Sequence, residues 1–406
     1  MGRVLEHFAK TLLATAGIPV PLGEPASTPD EARFAADRLG GNVVVKALVP
    51  TGRRGKAGAV KRVNSPEDAF QAADSLLGTM VGTYPVRQIL IEQCVSFERE
   101  FYLSLTIDRD TARPRVLVSS IGGIEIEEIV RGNPDALGST NLLPSVGLPE
   151  FQARQIWRRA GIGGSLLPRL GALTSKLYRV FHDLDAYLLE INPLAVAESG
   201  ELVAVGAMLA IDDASLFRHP DLRDVVQAGT EKVWRPLTPR EEEVNAINAA
   251  EPYRGSARYL ELDGGDIGFL CGGGGASLVL FDSLVAAGGK PANYAEFGGN
   301  PTESKVAGLA RVVLSKPGVR GLFVAHNITN NTQVDVVARG VAQALRECGE
   351  SSDFPVVARE IGVNDVEGKA IFNVAGVQHF GEESTLTDAA RAMVAAMKQQ
   401  YGESDQ

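Results

Sequence analysis

The chain has 406 residues, 45% hydrophobic and 22% charged, enough for two or three domains, each with its own buried core. A formal net charge of -10 argues against nonspecific binding to nucleic acid or a membrane surface, and points to small anions or another protein as partners. Cys94, Cys271 and Cys348 form no C-x-x-C or Cys/His cluster, and no uncharged apolar run reaches the roughly 18 residues of a membrane span. The expectation is a cytoplasmic chain with reduced thiols.

Apolar residues recur at helical spacing from Glu6 to Ala16, and G-I-P-V-P at Gly17 to Pro21 ends that helix and begins an extended strand. Thr28 and Asp30 introduce a second helix over Ala32 to Leu39. N-V-V-V-K-A-L-V then reads as a buried strand delivering Lys46 to its end, followed by the basic glycine-rich loop T-G-R-R-G-K-A-G. Gln88 to Gln93, Phe101 to Asp108 and Arg115 to Ser120 read as further strands, which makes this half mixed α/β around an antiparallel sheet. L-L-E-I-N-P-L at Leu188 to Leu194 is a strand ending in Glu190 and Asn192, oxygen donors suited to a hard cation such as Mg2+.

Between Val226 and Tyr259 the composition turns polar, charged and proline-bearing, as a linker would. Beyond it the pattern becomes strand, glycine turn, helix, starting with D-I-G-F-L-C-G-G-G-G at Asp266 to Gly275 and its helix through Gly289. It repeats at Gly321 to Ala325 with Val334 to Leu345, and at Pro355 to Ala358 with Asn364 to Val374. Alternating β and α elements predict a parallel doubly wound sheet with ligands beyond the carboxyl ends of its strands.

Several residues at these strand ends carry usable chemistry. Lys46 can neutralise nucleotide phosphates while backbone N–H groups near Gly52 and Gly55 cradle them; a lysine beside a solvated basic turn is the structural alternative. Glu92 and Glu100 can bind adenosine hydroxyls or its amino group, or be solvated carboxylates. The turn through Gly272, Gly273, Gly274 and Gly275 aims a helix N-terminus at an anion, unless the glycines serve packing. N-I-T-N-N-T at Asn327 to Thr332 offers neutral donors at the next strand end, and Arg359 can form a bidentate pair with a carboxylate. Together these describe a polycarboxylate site. Of the five histidines, His7, His182, His219, His326 and His379, none sits in a nucleophile or zinc motif; His326 is nearest the acid site and reads as a polar loop residue.

E-H-F-A-K with G-I-P-V-P, G-R-R-G-K-A-G, G-G-I-E-I-E at Gly122 to Glu127, E-I-N-P-L and L-F-R-H-P-D-L at Leu216 to Leu222 occur in that order over nearly the whole chain. With them the chain resembles the β subunit of succinyl-CoA synthetase. The resemblance implies an α/β fold: an ATP-grasp nucleotide-binding domain over residues 1–228, a linker over 229–259, a flavodoxin-like CoA-ligase domain over 260–400 and a polar tail over 401–406. It implies nucleotide contacts from Lys46, Arg54, Gly55, Glu92, Val95 and Glu100, and Mg2+ on Asn192. C-G-G-G-G-A-S, H-N-I-T-N-N-T and A-N-Y-A-E-F-G-G-N-P are more similar to citryl-CoA synthetase and ATP-citrate lyase, which implies a citrate-like acid near Gly299, Asn330, Thr332 and Arg359. Three positions depart from the family: Gly206 stands where an aspartate gives the second Mg2+ ligand, with Met208 in place of lysine, and Arg53 replaces a loop glycine. The implied reaction uses ATP, Mg2+ and CoA. Its phosphohistidine and most of the CoA site belong to a partner α subunit, in an α/β heterodimer or heterotetramer.

Overall fold

The computed structural model describes residues 2–52, 54–123, 132, 134–227, 235–350 and 353–402. Arg53, the Ile124 to Glu127 part of the glycine–acid motif, residues 228–234 of the expected linker and residues 403–406 of the expected tail lie outside them. The chain forms two compact units, Met1–Pro236 and Leu237–Gln406.

Besides the two-stranded ribbon of Met80–Val81 and Tyr84–Pro85, the first unit holds two antiparallel sheets. The smaller orders its strands Gly23–Ala26, Ile89–Gln93, Val43–Ala47 and Val60–Val63. Helices Pro29–Arg38 and Pro66–Leu76 pack with it through buried alanines, Ala32, Ala35 and Ala36 on one and Ala69, Ala72 and Ala73 on the other. Each starts on an N-cap hydroxyl, Thr28 accepting from Glu31 N–H and Ser65 from Asp68 N–H, with proline in the first turn, where no amide donor is missed. The segment Gly17 to Pro21 leads into the strand rather than forming it, because Pro19 and Pro21 have no N–H to give a ladder.

The larger sheet is built around two 12-residue strands, Phe97–Asp108 and Ala186–Ala197, paired antiparallel. Strand Ala207–Ile211 lies on the other side of Ala186–Ala197, so Glu190 is registered with Met208. Helices Glu150–Arg159 and Leu166–Asp183 contribute to its core, where the Trp157 indole N–H donates to Thr174 Oγ1 at 2.8 Å, both buried.

In the second unit the strands run Ser256–Glu261, Asn293–Gly298, Ile267–Gly272, Gly321–Thr329, Val356–Gly362 and Gln378–Phe380 across one sheet. All are parallel except the first, an antiparallel edge strand. The five parallel strands have the flavodoxin-like order 2-1-3-4-5, and the direction of winding reverses between Ile267–Gly272 and Gly321–Thr329. The segment expected as a linker carries helix Pro239–Ala250 and strand Ser256–Glu261. Thr238 and Glu241 close a full capping box on that helix, a start signal that its charged composition conceals. The C-terminal helix Leu386–Tyr401 takes up the first residue of the expected tail.

Buried Lys305 ties this unit together. Its ammonium donates to the carbonyls of Glu251 at 2.7 Å, Arg254 at 2.7 Å and Gly255 at 3.0 Å. Lys305→Met removes the ammonium from three carbonyls at once, so we expect a stability loss of about 3 kcal/mol or more, read as a lowered denaturation midpoint.

Candidate functional site

The glycine-rich loop, Lys46 and the Glu190–Asn192 segment converge on a cavity of about 430 Å3 inside the first unit; that segment lies in the middle of Ala186–Ala197 and not at a strand end as expected, because pairing continues past it to Ala197. Glu6, Lys46, Arg54, Gly55, Lys56, Asn192, Gly206 and Met208 line it. The cations that the sequence places here are already engaged. Lys46 Nζ donates to Glu92 Oε2 at 2.5 Å and to the Val205 carbonyl at 2.9 Å, and stands 3.4 Å from Glu6 Oε1. Lys10 lies between the same carboxylates, 2.9 Å from Glu6 and in a very short contact with Glu92. Arg54 reaches Glu6 Oε2 at 2.5 Å and the Ala47 carbonyl at 3.0 Å.

Lys10, Lys46, Glu6 and Glu92 are all buried. Burial alone would raise the Glu6 carboxyl, but Arg54, Lys10 and Lys46 outweigh it and hold that carboxyl well below its ordinary value of 4.5. Burial likewise pulls Lys46 down, yet Glu6 and Glu92 leave its ammonium raised. Lys10 is lowered, because for it burial wins over Glu6. Glu92 is therefore a partner of two lysines, whereas Glu100 lies apart beside Gly123, where burial raises its carboxyl. Val95 sits half-buried in the loop after the Ile89–Gln93 strand. Sequence reasoning missed Glu6 and Lys10, although their i,i+4 spacing inside E-H-F-A-K was visible.

The expected Mg2+ ligands do not form a matching pair. Asn192 Oδ1 accepts the Gly123 N–H at 2.8 Å. Opposite it, Asn192 N–H donates to the Gly206 carbonyl at 2.9 Å, and a Cβ at Gly206 would lie 2.0 Å from the Asn192 carbonyl oxygen. A side chain does not fit at Gly206 in this backbone, so restoring the aspartate alone would not restore that ligand pair. Glu190, two residues before Asn192, accepts from the Tyr102 hydroxyl at 2.9 Å. Among the described residues, no cluster of three His, Cys, Asp or Glu is placed to hold a metal ion.

At the carboxyl ends of the second sheet the expected acid-site residues gather on both sides of the winding reversal. Gly272 is required by packing: a Cβ there would lie 1.7 Å from His326 Cδ2. Gly274, at φ +104°, is required by its backbone, and Gly299 at φ +67° likewise. Glu296 stands beside the same turn, its carboxyl carbon 3.7 Å from where a Gly273 Cβ would be, and accepts from Tyr294 Oη at 2.7 Å. The start of the Gly275–Ala286 helix thus already has a carboxylate of the chain near it, which the glycine pattern did not reveal. Asn330 is exposed and Thr332 is buried.

Arg359 is buried, and its guanidinium donates to the carbonyls of His326 at 2.8 Å, Asn327 at 3.1 Å and Ser384 at 3.2 Å. Its Nε has no protein partner. Burial lowers the guanidinium pKa. His326, read from sequence as a polar loop residue, is instead 5% exposed, with Nδ1 2.5 Å from Glu360 Oε1. A shift in register after Ala325 separates the two neighbouring strands there.

The family described as the ATP-grasp domain matches residues 3–196, and the ATP citrate lyase citrate-binding family matches residues 235–393. The ADP-forming succinate–CoA ligase subunit beta of Rubrobacter xylanophilus is 39% identical over 96% of this chain and 97% of its own. The GDP-forming subunit of Thermus thermophilus is 37% identical over 96% and 97%. The ATP citrate lyase of Methanothrix soehngenii, solved with citrate and coenzyme A, superposes with a TM-score of 0.73 at 19% identity over 97% of this chain and 99% of that one, a likeness of fold.

The depressed Glu6 carboxyl sets a pH dependence. Its stabilisation is complete above the ordinary carboxylate value and is lost as pH falls through the depressed native value. Glu6→Gln, which leaves Lys10, Lys46 and Arg54 short of an anion, should cost about 3 to 5 kcal/mol near neutrality. The gap from the unsubstituted protein should narrow as the medium is acidified below the ordinary carboxylate range, followed by denaturant unfolding across pH.

Proposed function

Because the chain belongs to the succinate–CoA ligase β-subunit family, we propose that it supplies the nucleotide site and part of the acid site of an acid–CoA ligase. In this reading ATP phosphorylates a histidine of a partner α subunit. The phosphoryl group then passes to a carboxylate of a di- or tricarboxylic acid, giving an acyl phosphate, and the CoA thiolate attacks the acyl carbon and releases phosphate. Lys46, Arg54 and Lys56, with the amides near Gly55, face the polyphosphate. Glu92 and Glu6 hold Lys46, and Glu100 and Val95 border the base and ribose. Because Asn192 and Gly206 do not fit the family's Mg2+ pair, no step is assigned to a protein-held metal.

The observation that carries the acid half is Arg359: a buried guanidinium at a strand's carboxyl end, held by three carbonyls, with Nε left without a partner. A carboxylate is the complement of that nitrogen. With Asn330, Thr332 and the Gly299 backbone following other strands of the same sheet, a citrate-like acid is favoured over succinate. The partner reading has support of its own, since Leu278, Val279 and Val285 of the Gly275–Ala286 helix are 61%, 54% and 49% exposed, an apolar stretch suited to another chain.

The closed backbone at Gly206 favours a second reading, a nucleotide-binding paralogue that does not transfer phosphate. Labelled ATP added with a divalent cation to the complex purified from its host separates the two. Phosphohistidine on the co-purified subunit is the expected product, and its absence with every nucleotide and metal tried leaves the paralogue. On the same complex, Arg359→Ala should weaken acid binding about ten- to a hundredfold by calorimetry while nucleotide affinity stays level.

A further inference from the structure

His326 is the buried group of the second unit whose chemistry the reading above leaves unused. Its Nδ1 lies 2.5 Å from Glu360 Oε1, and Glu360 is fully buried. The Phe297 ring packs on the imidazole with centroids 4.9 Å apart, and the missing side chain of Gly272 makes room for the ring edge that carries Nε2. That fixes the ring. With Glu360 accepting the Nδ1 proton, Nε2 presents a lone pair, and it has no hydrogen-bond partner in the protein.

The place is where a ligand is expected on topology alone. Gly272 ends its strand and His326 directly follows Ala325, the last residue of Gly321–Thr329 paired with that strand, so both lie where the winding reverses, and in such sheets ligands enter the crevice at that point. From Gly272 the chain runs on through Gly273, Gly274 and Gly275, all exposed and without side chains, into the amino end of a 12-residue helix. Nε2 is buried under this turn, so reaching it requires the turn to shift, with no side chain to rotate away.

Charge decides what can sit there. Glu360 lies behind the imidazole and Glu296 stands beside Gly273. Two carboxylates disfavour a third at this spot, whereas a neutral hydroxyl satisfies the lone pair and leaves the acid's own carboxylates to Arg359 and its neighbours. We infer that His326, oriented by Glu360, is a specificity-determining residue that accepts a hydrogen bond from the hydroxyl of a hydroxy acid. This rests on the acid-binding reading of the second unit. A substrate without that hydroxyl leaves Nε2 unpaired in the closed complex, which is how a buried polar group rejects a deoxy analogue.

Calorimetry on the full chain with its partner subunit tests this with two matched pairs: citrate against tricarballylate, which has the same three carboxylates and no hydroxyl, and malate against succinate. The hydroxy acid of each pair that binds should do so about tenfold more tightly, the worth of one neutral hydrogen bond. His326→Phe should erase that preference and leave tricarballylate affinity unchanged. Nitrogen-15 spectra of the histidine side chains in the unsubstituted complex need no variant to fold: the His326 Nε2 resonance should move with citrate and stay with tricarballylate. Equal affinity within the pairs, a preference that survives in folded His326→Phe, or an unmoved Nε2 resonance overturns the inference and leaves the acid site standing. Failure of all four acids to bind overturns both.

Discussion

A buried charge must be paired or it destabilises the fold that holds it, and the first unit is organised around that constraint. Glu6 comes from the amino-terminal helix, Lys46 and Glu92 from the small sheet, and Arg54 from the glycine-rich loop. The Val205 carbonyl, next to the strand that pairs with Ala186–Ala197, accepts from both Lys10 and Lys46. Taking charges out of water is repaid only when each finds its partner at close range. These residues therefore fix the spacing of helix, loop and two sheets together. The same carboxylates that assemble Lys46 and Arg54 also compete with an incoming polyphosphate for them.

The second unit has polar atoms left over on neighbouring strands. Among the described residues, Arg359 Nε, His326 Nε2, Glu360 Oε2 and His379 Nδ1 are buried without protein partners, on three adjacent strands of the sheet. Such atoms cost stability wherever they occur, so several together mark a surface shaped for something outside the chain.

Much of this was legible in the sequence because it depends on local pattern. V-V-V-K places Lys46 at a strand end by alternation alone, and strand, glycine turn, helix gives the parallel sheet. What stayed hidden depends on distance along the chain. Composition marked Val226 to Tyr259 as a linker, although T-P-R-E at Thr238 to Glu241 was a helix start. The Glu150–Arg159 and Leu166–Asp183 helices went unassigned, their charged faces masking the apolar stripe that meets the large sheet. Gly206 could be seen as an aspartate lost, but that a Cβ there would collide with the Asn192 carbonyl is visible only in three dimensions.

His326 shows most clearly why one residue's local setting is a poor guide to its chemistry. Its sequence neighbourhood, H-N-I-T-N-N-T, is polar and reads as loop. Three separate facts reverse that: Glu360 lies 34 residues away on the next strand, Phe297 comes from a third element, and Gly272 makes room on a fourth. None of these residues specifies a histidine site alone. A glycine that leaves space, a carboxylate that sets the tautomer and an aromatic ring that fixes the imidazole plane acquire meaning only once parallel pairing brings their strand ends together. The tetraglycine turn is thus explained twice over, by the ring it admits at Gly272 and by the left-handed backbone at Gly274, before any ligand is invoked.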